Sequence, residues 1–185
     1  MRVFIAVDLE DSVKEQLANL IENLKPAGRN IKWVARENFH LTLKFLGEID
    51  EGQVEIVREV LIKLSHQYRP FSLKLKGTGS FPPGQNRMRV IWVGLESGPE
   101  LFRLQKELEE ELERKGFPKE ERAFSPHLTL GRAKQPQNQE KLKKMLEKFS
   151  NREFGQMMVK EITLFQSILR PEGPVYKPLD KFELA

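Results

Sequence analysis

The sequence predicts an α+β fold made by duplication. Two antiparallel sheets carry helices on their outer faces and enclose a central cleft, all within one bilobal domain over 1–185 whose repeat halves span about 1–87 and 88–185. Three observations lead there. His40-Leu-Thr42-Leu returns as His127-Leu-Thr129-Leu, 87 residues later (127 − 40). Arg2-Val-Phe-Ile-Ala-Val returns as Arg89-Val-Ile-Trp-Val-Gly, read at the same offset (89 − 2). Each half then runs in the order β-α-β(His)-α-β, which packs helices against one face of a sheet.

The elements follow from local chemistry. Arg2 to Leu9 is an apolar run ending at a turn, a buried strand. Asp11-Ser12 is expected to cap a helix with Val13, Leu17, Leu20, Ile21 and Leu24 on one face, stopped by Pro26-Ala-Gly28. Ile31-Lys-Trp33-Val and Phe39 to Leu46 read as strands, and Glu51 to Gln67 as a helix with Val54, Val57, Leu61 and Leu64 inward. Phe71 to Lys76 is a strand before a breaker-rich loop, Gly77 to Gly84. In the second half Arg89 to Leu95 is a strand and Pro99 to Lys115 a helix with Leu101, Leu104, Leu108 and Leu112 inward. Phe124 to Arg132 is the second histidine strand, Gln139 to Phe149 a basic helix, Val159 to Leu169 a strand, and Tyr176 to Leu184 a closing turn and strand.

Composition narrows the class. With 39% hydrophobic and 31% charged residues the chain reads as globular and soluble, and no apolar run approaches the roughly 18 residues a membrane-spanning helix needs. The N-terminal apolar stretch reaches Asp8 too early for a secretory signal and reads as the first strand of a cytoplasmic protein. Cysteine is absent, which excludes disulfides, thiol nucleophiles and cysteine-ligated zinc. A net charge of +4 suits a polyanionic partner.

Alternation along a strand puts residues i and i+2 on one face. His40 and Thr42 therefore share a face, as do His127 and Thr129, with leucines behind them. Two such strands facing one another would bring two imidazoles and two hydroxyls onto one anion. Imidazole titrates near pH 6.5, so one ring can accept a proton while the other donates, and threonine hydroxyls can orient a phosphate. That chemistry needs no metal and no cofactor. The third histidine, His66, stands at a helix end without a companion motif and reads as a solvated or capping residue. Strict alternation puts Arg132 opposite His127, unless Gly131 marks a bulge that re-aims it. The same alternation puts Lys44 on the catalytic face, with Phe45 behind. Phe81, Trp33 and Trp92 offer aromatic faces to RNA bases, with core packing as the competing reading and the preferred one for both tryptophans.

The two motifs resemble the His-x-Thr signatures of the two-histidine phosphoesterase superfamily, and specifically its RNA 2′,3′-cyclic phosphodiesterase branch, also called the 2′-5′ RNA ligase family. The likeness extends to Met1-Arg-Val-Phe-Ile-Ala-Val, His40-Leu-Thr-Leu-Lys-Phe-Leu-Gly47, Gly77-Thr-Gly-Ser-Phe-Pro82, Phe124-Ser-Pro-His-Leu-Thr-Leu-Gly-Arg132 and Gly173-Pro-Val-Tyr176. The resemblance implies metal-free hydrolysis of an RNA 2′,3′-cyclic phosphate end to a 2′-phosphate. His127 would be the proton acceptor that activates water and His40 the proton donor to the departing 3′ oxygen. Thr42, Thr129 and Arg132 would hold the phosphate. The expected partner is an RNA or oligonucleotide with such an end, and the expected oligomeric state a monomer by default. Two alternatives stay open: 2′-5′ ligation as the main activity, or a non-catalytic module that binds RNA ends.

Overall fold

β1 (Arg2–Asp8) is a central strand, with Val3, Ile5 and Val7 turned into the main core and Phe4 and Ala6 buried on the opposite face. The computed structural model describes residues 1–185. Around β1 the chain runs α1 (Asp11–Leu24), β2 (Ile31–Trp33), β3 (His40–Glu48), α2 (Glu51–Ser65) and β4 (Phe71–Phe81). It continues with β5 (Val90–Ser97), α3 (Pro99–Arg114), β6 (His127–Ala133), α4 (Glu140–Lys148), β7 (Glu153–Val159), β8 (Glu161–Arg170) and β9 (Gly173–Glu183). Two sheets result, ordered β3-β1-β8-β9 and β2-β6-β5-β4-β7, and every neighbouring pair is antiparallel.

Neither sheet belongs to one half of the sequence. β4 crosses over to lie beside β5, and β8 crosses back to lie beside β1. The lobes are thereby laced together, and 43 buried residues form a single continuous core. Helices cover the core faces: α1 packs on β7, α4 on β4, and α2 on α3. The apolar stripes expected from helical spacing are the buried ones. Leu101, Leu104, Leu108 and Leu112 of α3 are fully buried, each contributing about 1.5–3 kcal/mol of apolar burial. At the start of α2, Asp50 and Gln53 form a reciprocal cap, the Gln53 N–H donating to the Asp50 carboxylate at 2.8 Å and the Asp50 N–H to the Gln53 side chain at 3.0 Å.

Four expectations are corrected. The segment from Gly77 is strand rather than loop as far as Phe81, because Gly77 (φ 79°) absorbs a bulge and lets β4 resume its pairing with β5. β7 precedes the strand expected from Val159. Its alternation of buried Phe154, Met157 and Val159 is interrupted by Gly155 (φ 133°), which hides the period. The cap of α1 is Glu10 and no side chain accepts there, because the Val13 and Lys14 N–H groups already bond the Glu10 carbonyl at 3.0 Å. The fourth concerns the duplication. Ala6 lies opposite Thr42 and Trp92 opposite Thr129, so the first strands correspond at 86 residues (92 − 6), not 87. One residue more in the second half separates β5 from its histidine, and a one-residue slip in a strand exchanges faces.

Candidate active site

A bulge in each histidine strand shapes the site. In β3, Thr42 lies opposite Ala6 and Lys44 opposite Ile5, so Leu43 has no partner on β1. In β6, Thr129 lies opposite Trp92 and Gly131 opposite Ile91, so Leu130 has none on β5. The extra residue reverses the side-chain phase beyond it. Arg132 therefore comes round to the face of His127 and Thr129, which strict alternation denied it. At the equivalent place on β3 stands Phe45, 66% exposed and on the His40 face. Gly131 fits the bulge because a Cβ there would sit 2.8 Å from the Trp33 ring and 2.9 Å from Ile31.

The same bulge overturns the expectation for Lys44, and with it the placing of Phe45 behind the sheet. The Lys44 side chain is buried on the core side, where its ammonium donates to both oxygens of Glu109 at 2.9 and 3.1 Å and to the Pro118 carbonyl at 2.9 Å. Glu109 also accepts the Glu120 N–H at 3.0 Å, so the pair fastens the loop after α3 to β3. Lys44 is a structural cation and does not reach the cleft.

His40, Thr42, His127, Thr129 and Arg132 line one cleft of about 280 Å³. The structure thus brings together all five residues singled out from the sequence. Asn38, Phe45 and Tyr176 line it too, none of them marked by spacing. Arg132 serves the His40 end, since its charge reaches Tyr176, whose ring lies edge-on to His40 at 4.9 Å. The His127 end is aromatic in another way: Trp92 stacks on the imidazole at 3.9 Å and 15°, with Phe81 at 5.7 Å. Trp92 has room because Gly79 lies against it, where a Cβ would come within 2.2 Å of the indole. His66 is the exposed C-cap residue of α2, away from this cleft.

The two imidazoles differ in their surroundings. His40 is packed among Phe4, Phe165 and Tyr176, and burial there pushes its pKa down to about 4. Two groups work in the other direction, a hydrogen bond with the Asn38 backbone and the charge of Asp8. Burial also lowers the pKa of His127, with no opposing group. The Ser125 hydroxyl lies 2.7 Å from His127 Nδ1, which leaves Nε2 for a substrate. Ser125 was not singled out from the sequence; its only signal is its place two residues before the histidine.

Known proteins resemble this chain along its whole length. The Methanothermobacter thermautotrophicus protein named RNA 2′,3′-cyclic phosphodiesterase is 38% identical over 100% of this chain and 99% of its own length. The protein of that name from Methanocaldococcus jannaschii is 42% identical over 98% of this chain and 100% of its own. Among solved structures, a Thermus thermophilus protein superposes with a TM-score of 0.84 at 32% identity, covering 100% of this chain and 98% of that one. Escherichia coli LigT complexed with 3′-AMP gives 0.72 at 29% identity, covering 99% and 97%. No helix here is long and apolar enough to cross a membrane. The family model of the LigT-like phosphoesterases matches residues 7–92 and again 93–176, and the chain belongs to that family.

Proposed function

We propose that this protein opens RNA 2′,3′-cyclic phosphate ends by hydrolysis, leaving a 2′-phosphate and a free 3′-hydroxyl. It is a hydrolase of the same kind as its full-length relatives, which bear the name RNA 2′,3′-cyclic phosphodiesterase. The observation that carries the reading is the meeting of both histidines, both threonines and Arg132 in a single cleft.

In this scheme His127, freed at Nε2, takes the proton of the attacking water as its oxygen bonds to phosphorus. The bond from phosphorus to O3′ breaks, and His40 hands its proton to that oxygen. The donor role goes to His40 by the family resemblance; in the free protein burial outweighs the Asn38 backbone and Asp8 and holds its pKa down at about 4. Burial holds His40 neutral at pH 7; a phosphodiester anion beside it pulls its pKa back up, so binding and protonation are coupled. Thr42, Thr129 and Arg132 hold the non-bridging oxygens, with the guanidinium suited to grip two at once.

The test is incubation of the protein with a nucleoside 2′,3′-cyclic monophosphate in EDTA. Turnover to the 2′-monophosphate alone is expected. Binding without turnover would leave an RNA-end-binding module. Faster joining to a 5′-hydroxyl oligonucleotide than hydrolysis would make ligation the main activity.

A further inference from the structure

Trp92 lies flat on His127, with ring centroids 3.9 Å apart and an interplanar angle of 15°. No ring lies so on His40: Phe4 and Phe165 are tilted to it by 31° and 37°, and Tyr176 stands at 89°. The first-half counterpart of Trp92 is Ala6, since each faces the threonine of its motif across a strand pair. We infer that Trp92 is a positioning residue for the reaction: its indole face holds the His127 ring in place and stabilises the positive charge that the ring acquires on taking the proton of water. The inference rests on the proposed function and deepens it.

Two glycines leave room for the stack. Gly94 lies opposite His127 on β5, so the imidazole meets no side chain there. Gly79 lies opposite Trp92 on β4, where a Cβ would stand 2.2 Å from the indole. Packing alone does not account for an indole at this position. Its Nε1–H is buried without a partner, which is destabilising, and a phenyl ring would leave no donor stranded. What the indole supplies is an electron-rich face, the best among side chains at attracting a cation within about 6 Å of the ring centroid. No carboxylate competes for that task. Burial alone lowers the pKa of His127, and Ser125 at its Nδ1 is a neutral hydroxyl. The titratable groups that share its cleft are His40, Tyr176 and Arg132. The negative surface that the protein itself offers to the new cation is therefore the face of Trp92.

The experiment begins with the free protein. A protonated imidazole in contact with an indole quenches its fluorescence, so the wild type should lose emission as pH falls through the His127 titration, and His127→Gln should not. This comparison leaves Trp92 in place and stands even if its variants fail to fold. NMR titration of the histidine Cε1–H signals, assigned with His→Gln variants, follows His127 directly. Its pKa should be lower by about half a unit or more in Trp92→Met, which keeps an apolar cover without a π face, and by less in Trp92→Phe. With a nucleoside 2′,3′-cyclic phosphate, Trp92→Met should lower kcat about tenfold while KM changes less than about twofold, and Trp92→Phe should recover most of that loss. Three results would each overturn the proposal: quenching that His127→Gln leaves intact, a His127 pKa unchanged or raised in Trp92→Met, or a kcat that the two variants lower equally or not at all. Should the wild type turn over no cyclic phosphate, the catalytic reading fails on its own, and the two titrations still decide whether the indole favours the imidazolium.

Discussion

Phe45 stands where Arg132 stands. The two are 87 residues apart (132 − 45), each just beyond a bulge that turns it onto the face of its own histidine. The duplicated strand has thus been specialised at one position: a guanidinium reaches toward one end of the cleft, and a bare phenyl ring occupies the corresponding place on the other strand. The pseudo-twofold site is chemically polar along its length, which gives a single reaction two different ends.

His40→Ala and His127→Ala are each expected to lower kcat by about 10²–10⁴-fold, the usual worth of a placed proton carrier. Circular dichroism should remain that of the wild type, because both rings border the cleft. Near-normal turnover in either variant removes that residue from the chemistry.

The pH profile should show burial at work. Since burial lowers both imidazole pKa values, the singly protonated enzyme is most abundant below pH 6.5. The kcat/KM optimum is expected there, falling as pH rises, and the kcat optimum should lie higher because the bound anion raises both pKa values. A kcat/KM optimum at pH 7.5 or above contradicts this.

Stability carries the same signature. His40 binds its proton more weakly folded (about 4) than unfolded (6.5), so the unfolded chain takes up more protons between those values. Stability should therefore fall as pH drops from 6.5 to 4, by up to about 3 kcal/mol from this residue. Urea unfolding of the wild type and His40→Gln at pH 4.5 and 7 measures it; the variant should lose less on acidification.

Arg132→Lys should keep the charge and lose the two-pronged grip. We expect kcat/KM down by roughly tenfold for lysine and roughly 100-fold for alanine, in line with about 1.5–3 kcal/mol for hydrogen bonds to charged groups. Equal rates for both variants and the wild type would place the guanidinium outside the phosphate site.

Lys44→Met should destabilise by about 3–5 kcal/mol, since it strands the Glu109 carboxylate in the core. Pairing it with Glu109→Leu should recover most of that loss in thermal unfolding. If the single change costs nothing, the ion pair is not holding the loop after α3.

What the sequence determined by itself was local. Alternation is a property of one strand, so His40 with Thr42 and His127 with Thr129 could be placed on common faces from their spacing alone. Apolar residues at helical spacing likewise fixed the buried faces of α1, α2 and α3. What the tertiary structure decided was everything set by a partner strand or helix. Leu43 and Leu130 are bulged only because β1 and β5 leave them unpaired, so the facing of Phe45, Lys44 and Arg132 was not written in β3 or β6. Glu109, which takes Lys44 into the core, lies 65 residues away in sequence (109 − 44). Tyr176 reaches His40 only because β8 crosses back to pair with β1 and brings β9 with it. A strand records its own period; its register, and the neighbours that register brings, come from the sheet.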